Sequence, residues 1–291
     1  MHTIVAVKQL APNVTRIEVT AKRIAQIRRP GQFVIVRLGE GAERIPLTIA
    51  DADPVAGTIA LVIQSVGKST RDLVALPVGA QIQAVVGPLG NPTELVSEGT
   101  VVCVGGGVGT AVIYSIAKGL KEQGASLTSI IGGRSREWII FEEELQALGE
   151  TIICTDDGSY GCKGFVTDSL LAVIRQRNIA AVYAVGPVPM MRAVAEMTRP
   201  YGIQTIVSLN PIMIDGTGMC GGCRVNVDGE MKFACVDGPE FDGHLVDFDE
   251  LRDRLGTYRT FEREAMEAHE CTLRNAEQIS WRNMTVSGVN S

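Results

Sequence analysis

The hydrophobic periodicity of the chain changes at Gly99, and that change restricts the fold more than any other feature. Before it, β-branched runs at Thr3–Val7, Val14–Thr20, Gln32–Leu38, Thr58–Gln64 and Gln81–Val86 are separated by Pro-Asn, Pro-Gly, Asp-Pro and Gly-Pro turns. With one helical stretch near Ser69–Ala75, residues 1–96 are expected to form a small antiparallel β-barrel. After Gly99, apolar strands at Thr100–Val104, Ser126–Gly132, Thr151–Thr155 and Ala181–Val185 alternate with predicted helices over Thr110–Gln123, Phe141–Leu148, Asp168–Arg177 and Met190–Arg199. That alternation predicts a doubly wound α/β domain over residues 97–208, with a parallel sheet that binds ligands beyond its C-terminal strand ends. Residues 209–246 are loop-rich and read as a third, small segment, while residues 247–291 read as a charged helix over 247–269 and a polar tail.

The net charge of −6 argues against a nucleic-acid binder, which needs a basic face to meet phosphates. The 32 glycines imply many tight turns and close backbone approaches, as a cofactor-holding protein requires. No apolar run of about 18 residues predicts a membrane span. The N-terminus passes straight into a strand pattern, so a cytoplasmic location is expected. In a reducing compartment the seven unevenly placed cysteines point to metal rather than disulfides.

The sharpest chemical signal lies in the loop-rich segment. Asp215, Cys220, Cys223 and Cys235 follow the spacing D-x4-C-x2-C-x11-C, with glycines interleaved. Two thiolates on one tight loop, with glycine amides free to approach the sulfurs, suit an iron–sulfur cluster, whose potential such N–H donors tune. The spacing is that of plant-type [2Fe–2S] sites, with aspartate at the first ligand position. A zinc knuckle of three cysteines and an aspartate fits the same residues, as does a surface aspartate beside three structural cysteines.

A second signal is Arg44, Pro46, Leu47 and Thr48, in an R-x-P-L-T pattern. Arg44, expected at the end of a barrel strand, can pair with a pyrophosphate through its planar, permanently charged fork. The strand that follows can lay Leu47 and Thr48 along a flavin ring. Gln64, then Gly67, Ser69 and Thr70, supply a turn and a helix start suited to phosphate oxygens. Arg44 alone reads better as a charged residue on a barrel rim; together with the glycine turn and the Gly87–Gly90 turn the set favours FAD.

The third signal is Gly105, Gly106, Gly107, Gly109 and Thr110, which follow a buried strand and open a helix, where amides and the helix dipole attract anions. The run departs from G-x-G-x-x-G, and glycines at such turns also serve packing. Asp156 and Asp157, and Gly186 and Pro187, fall at predicted strand ends on the same rim. Arg134 and Arg136 can take a 2′-phosphate, favouring NADP(H), or cover the adenine. The two aspartates can accept from ribose hydroxyls or simply be solvated. Cys103 and Cys154 read as buried filler, Cys162 and Cys271 have no evident partner, and His244 reads as a cluster neighbour or a structural histidine. No side chain reads as a catalytic acid or base. A zinc-stabilised regulatory module that binds nucleotide without turnover is the competing reading.

Barrel, glycine turn and cysteine loop, in that order, resemble the ferredoxin–NADP reductase superfamily. More narrowly, the chain is similar to the electron-transfer subunit of dihydroorotate dehydrogenase B. It is more similar still to the small subunits of NADH-dependent ferredoxin:NADP oxidoreductase, also called sulfide dehydrogenase subunits. The likeness is carried by the runs Leu209–Cys223 and Phe233–His244 and extends over roughly residues 1–271. It implies an NAD(P)H-dependent flavin and iron–sulfur oxidoreductase subunit, with FAD in the barrel, NAD(H) on the α/β domain (NADP(H) as the alternative) and a [2Fe–2S] cluster as the exit. Asp215 matches the ferredoxin-linked relatives, since the dihydroorotate subunits keep four cysteines. The resemblance further implies a heterodimer with a larger flavoprotein subunit bearing [4Fe–4S] clusters, and ferredoxin served indirectly. Electron bifurcation, and service to dihydroorotate dehydrogenase or another oxidoreductase, are both left open by it. The glycine turn lacks a proline common in the superfamily, which bears on nucleotide geometry alone.

Overall fold

A computed structural model describes residues 1–267. The first module contains seven strands, β1 (His2–Ala11), β2 (Val14–Thr20), β3 (Phe33–Arg37), β4 (Arg44–Asp53), β5 (Thr58–Gln64), β6 (Gln81–Ile82) and β7 (Ala84–Leu89). They pair in the order β6-β1-β2-β5-β4-β3-β7, a nearly closed antiparallel barrel. Side chains alternate across a strand, so Ile17 and Val19, Val34 and Val36, and Ile59, Leu61 and Ile63 all turn into one core. Two short helices, α1 (Lys22–Ile27) and α2 (Lys68–Val74), add Ile24, Ala25 and Leu73 to it. Arg44 opens β4 rather than closing a strand, because the chain reverses through Gly39 and Gly41 before it.

The second module runs β8 (Thr100–Gly106), α3 (Thr110–Glu122), β9 (Ser126–Gly133), α4 (Glu142–Gln146), β10 (Glu150–Thr155), β11 (Cys162–Lys163), α5 (Val166–Gln176), β12 (Ile179–Val185), α6 (Val188–Thr198) and β13 (Gln204–Ser208). Its sheet is parallel through these strands, in the order β11-β10-β9-β8-β12-β13. Helices α3 and α4 pack on one face and α5 and α6 on the other. The strand order reverses between β8 and β12, so the crevice beyond their C-terminal ends is the topological switch point where such sheets bind ligands.

The cysteine segment is built into this sheet and does not stand apart from it. After a hairpin of β14 (Arg224–Val227) and β15 (Glu230–Phe233), strand β16 (Glu240–Asp242) pairs antiparallel with β13 as the new sheet edge. Helix α7 (Phe248–Gly256) follows, capped by Asp247, which accepts from the Asp249 and Glu250 amides at 3.1 and 2.9 Å. Residues 259–267 are helical again. The remainder of the helix expected over 247–269, and Cys271, lie outside the described residues. Among the described residues no helix is long and apolar enough to cross a membrane.

Candidate functional site

Three groups of sequence-selected residues gather around the barrel. On the first, β4 presents Pro46, Leu47 and Thr48, each half-buried, paired with Ile35, Val34 and Phe33 of β3. Arg44 is exposed at the start of that strand. Its neighbour Glu43 accepts a hydrogen bond from Ser69, which draws the first turn of α2 to the same end of the barrel. Thr70 accepts from the Gly67 amide at 3.1 Å and donates to the Gly67 carbonyl at 2.9 Å, closing the turn that follows Gln64. A Cβ on Gly67 would meet nothing within 4 Å, so the turn is open to a ligand.

At the switch point, the glycine turn divides by cause. A Cβ on Gly105 would lie 2.9 Å from Thr110 Oγ1, one on Gly106 2.5 Å from the Met190 sulfur, and one on Gly109 2.4 Å from the Val185 carbonyl oxygen. Those three glycines let α3 and the Gly186-Pro187 turn close on β8. Gly107 differs: its φ is +54° and a Cβ there would enter open space. Helix α3 begins without a side-chain cap; the Gly107–Gly109 turn runs straight into it, and the Thr110 amide donates to the Gly107 carbonyl. The neighbouring strand ends are zipped together. The Asp156 and Asp157 amides donate to the Gly133 and Arg134 carbonyls at 3.1 and 3.2 Å. The Arg136 guanidinium lies 4.8 Å over the Tyr160 ring, and Arg134 lies 5.9 Å over Trp138. Both arginines and both aspartates are therefore on the rim, with the arginines held over aromatic rings.

In the cysteine segment, Cys223 and Cys235 are buried with their thiols facing each other, while Cys220 is exposed. Backbone amides are aimed at all three sulfurs: Gly218 donates to Cys235 at 3.2 Å, Gly222 to Cys220 at 3.5 Å and Cys235 to Cys223 at 3.4 Å. Asp215 accepts from the Thr217 and Cys220 amides at 2.8 and 3.0 Å, chiefly the Thr217 contact holding its carboxyl below the usual range. Burial, then the Cys223 thiol, push Cys235 up to about 12. That group stays protonated unless a metal displaces the proton. Among the described residues no three His, Cys, Asp or Glu side chains are drawn into metal-ligating geometry. The donor set nevertheless fits an iron–sulfur cluster, because amides already converge on the cysteine sulfurs.

His244 and the remaining described cysteines lie elsewhere. His244 faces α6, its Nε2 3.0 Å from Thr198 Oγ1, and is no neighbour of the cysteines. Cys103 and Cys154 are buried, as expected, and Cys162 is exposed on the edge strand β11. A cleft of about 720 Å³ lies away from all three groups, between the outer face of the barrel and Lys118 of α3. Sequence reasoning missed the contacts of Asn91, Thr93 and Glu240, which tie the modules together. They are single polar residues in loops or at a strand end, with no periodicity to mark them.

Comparison with known proteins agrees with this layout. The model for the iron–sulfur cluster binding domain of dihydroorotate dehydrogenase B matches residues 210–247, and that for the oxidoreductase NAD-binding domain matches residues 103–196. A Thermotoga maritima dihydroorotate dehydrogenase B (NAD(+)) electron transfer subunit homolog is 47% identical, covering 90% of this chain and 93% of its own. The Geobacillus thermodenitrificans electron transfer subunit is 35% identical, covering 82% of this chain and 95% of its own. A chain from the solved structure of NADH-dependent reduced ferredoxin-NADP oxidoreductase, described for flavin-based electron bifurcation, superposes with a TM-score of 0.89. It is 45% identical and covers 92% of this chain and 98% of its own. Barrel and nucleotide module together thus define an oxidoreductase of the ferredoxin-reductase class, extended by an iron–sulfur segment. Within that class the chain belongs to the family of dihydroorotate dehydrogenase B electron transfer subunits. It is an NAD(P)H-dependent electron-transfer subunit whose cofactor classes are FAD, NAD(H) and an iron–sulfur cluster.

Proposed function

We propose that this chain takes reducing equivalents from NADH at the glycine turn, holds FAD on β4, and delivers electrons through a [2Fe–2S] cluster to a larger partner subunit. The observation that carries the reading is that both other sites abut the barrel. The glycine turn packs on β5. The cysteine loop packs on β3 and β7, where a Cβ on Gly216 would lie 2.8 Å from Leu89 and 2.9 Å from Ile35. The strand between β5 and β3 is β4. When bound, the flavin accepts a hydride and passes its electrons on singly, chemistry that belongs to the cofactor.

The chain's own residues bind and orient. Arg44 pairs with the FAD pyrophosphate, and Gly67, Ser69 and Thr70 shape the turn beside it. Gln64, Pro46, Leu47 and Thr48 line the flavin. Gly107 leaves room for the dinucleotide over the α3 start, while Gly105, Gly106, Gly109 and Thr110 build that start. Gly186 and Pro187 wall the crevice. Arg134, Asp156 and Asp157 meet the adenosine end, and NADH is preferred to NADPH. Cys220, Cys223, Cys235 and Asp215 hold the cluster. Aspartate at the first position favours a ferredoxin-linked role over service to dihydroorotate dehydrogenase.

The partner, with a second flavin and [4Fe–4S] clusters, docks where the cluster nears the surface. There Cys220 is exposed, and Ile214, Met219 and Val236 of the same segment are exposed apolar side chains, Met219 at 89%. Exposed apolar side chains beside a cluster suit a surface that a partner covers. The test assays each subunit alone and together. The lone chain should reduce artificial dyes with NADH but fail to reduce ferredoxin at a useful rate. Rapid NADH-to-ferredoxin turnover by the lone chain would make it a self-contained reductase.

A further inference from the structure

Residues 90–96 connect barrel to nucleotide module, yet in space they form the seam at which the cysteine segment is fastened. Asn91 makes three hydrogen bonds there. Its backbone amide donates to the Gly238 carbonyl at 2.7 Å, and its side-chain Nδ2 donates to the Val236 and Asp237 carbonyls, each at 3.1 Å. One residue thus satisfies the three consecutive carbonyls that follow Cys235. The turn bearing Cys235 is itself closed: the Val236 and Asp237 amides donate to the Phe233 carbonyl at 3.0 and 2.8 Å, and Asp237 accepts from the Phe233 amide at 2.6 Å. Asn91 ties this closed turn to the segment that joins barrel and nucleotide module.

The other end of the tether is the barrel. The Gly90 carbonyl accepts from Gln32 Nε2 at 2.9 Å, and a Cβ on Gly90 would lie 2.8 Å from the Phe33 ring and 2.9 Å from Pro239. Phe33 pairs with Thr48 on β4. From Cys235 to Thr48 the path is a tight turn, one asparagine, one glycine and one strand pair. Asn91 is exposed and belongs to none of the hydrophobic cores, so burial does not account for its three bonds.

We propose that Asn91 is a positioning residue for electron transfer, fixing the separation between the flavin on β4 and the cluster held by Cys235. The proposal rests on the assignment of Cys235 as a cluster ligand made above. The step it serves moves one electron from reduced flavin to oxidised cluster and breaks no bond. The Asn91 amide gives two donors to two carbonyls; Asn91→Ala removes them, and Asn91→Asp replaces them with a repelling carboxylate.

The test compares wild type, Asn91→Ala and Asn91→Asp, as full chains loaded with FAD and iron. Anaerobic stopped-flow follows flavin bleaching by NADH and then cluster reduction. Pulsed EPR of half-reduced protein reads the magnetic coupling between the two centres, which reports their separation. Iron content, FAD content and flavin bleaching should match wild type in both variants. Cluster reduction should slow by about tenfold or more, since misplacement on the ångström scale is enough to cost that, and the coupling should weaken. Wild-type coupling and cluster-reduction rate in both variants would overturn the positioning role alone. Loss of iron from both would also overturn it, because Asn91 would then build the site rather than place it. If dithionite-reduced wild type shows no cluster signal, the assignment of Cys235 falls and the proposal with it.

Discussion

At the nucleotide rim, a Cβ on Gly106 or Gly109 would stand 2.5 Å from the Met190 sulfur or 2.4 Å from the Val185 carbonyl oxygen. In the cysteine loop, Gly221 has only ordinary contacts beside it, the nearest 3.7 Å away, but its φ is +67°. Glycine is thus demanded by packing at Gly106 and Gly109 and by backbone path at Gly221. The difference follows from what each turn does. The first closes a helix onto a parallel sheet, so its shape is set by protein on both sides. The second wraps around sulfur atoms, and its amides must point inward whether or not protein fills the space.

Substitutions can break that contrast. The largest effect is expected at the rim. Gly109→Val should cost about 1–3 kcal/mol or more in thermal unfolding, because a backbone carbonyl blocks the new side chain. Gly107→Leu should leave α3 packed, at a strain cost of about 1–2 kcal/mol for its positive φ, but abolish flavin bleaching by NADH while FAD stays bound. Equal melting losses in the two variants would erase the distinction between them.

The flavin site, which has no such rim, serves as a control. Arg44→Ala should weaken FAD retention by about 1.5–3 kcal/mol, the worth of a charged hydrogen bond, with melting of the apo chain unaltered. Flavin content after desalting measures it, and wild-type retention would count against the assignment. Next in size, Gly221→Ala should cost about 1–2 kcal/mol through its left-handed backbone and lower iron content without touching FAD. Asp215→Cys should keep a cluster at an altered potential, whereas an EPR spectrum unchanged in Asp215→Ala would leave Asp215 as a loop brace alone.

The smallest effect concerns Glu240, where the cysteine segment meets the barrel. Burial pushes its carboxyl up from 4.5 to about 7, while Thr93 donates to it at 2.8 Å; Cys103 and Tyr183 are the other ionisable groups facing it. The folded chain binds this proton more tightly than the unfolded one. Its stabilising contribution is complete below about 4.5 and is lost as pH rises to about 7. Glu240→Gln should remove that slope, so the melting-temperature difference between variant and wild type should grow in the variant's favour from pH 5 to pH 8. A constant difference would show that Glu240 does not titrate there.

Much of this architecture is written in local pattern. Short, β-branched apolar runs such as Thr100–Val104 read as strands buried on both faces, and the helices between them carry their own period. The cysteine spacing marked its loop because three thiols that close together rarely serve packing. What escaped was set by tertiary pairing. Strand β4 contains Pro46, Asp51 and Asp53, residues that weaken a strand signal, and its order comes from lying between β3 and β5. Strand β16 is three residues long and exists because β13 offers it an edge. Asn91, between a glycine and a proline, looks like turn punctuation; its role depends on carbonyls more than 140 positions away.

The central claim is that electrons entering at the glycine turn leave through the cysteine loop. Low-temperature EPR of the anaerobic chain titrated with NADH tests it most directly. Bleaching of the flavin accompanied by a [2Fe–2S] signal, with both lost in Gly107→Leu and only the cluster signal lost in Cys235→Ser, is the predicted result. A chain that binds stoichiometric zinc, stays colourless and yields no signal with NADH would contradict it.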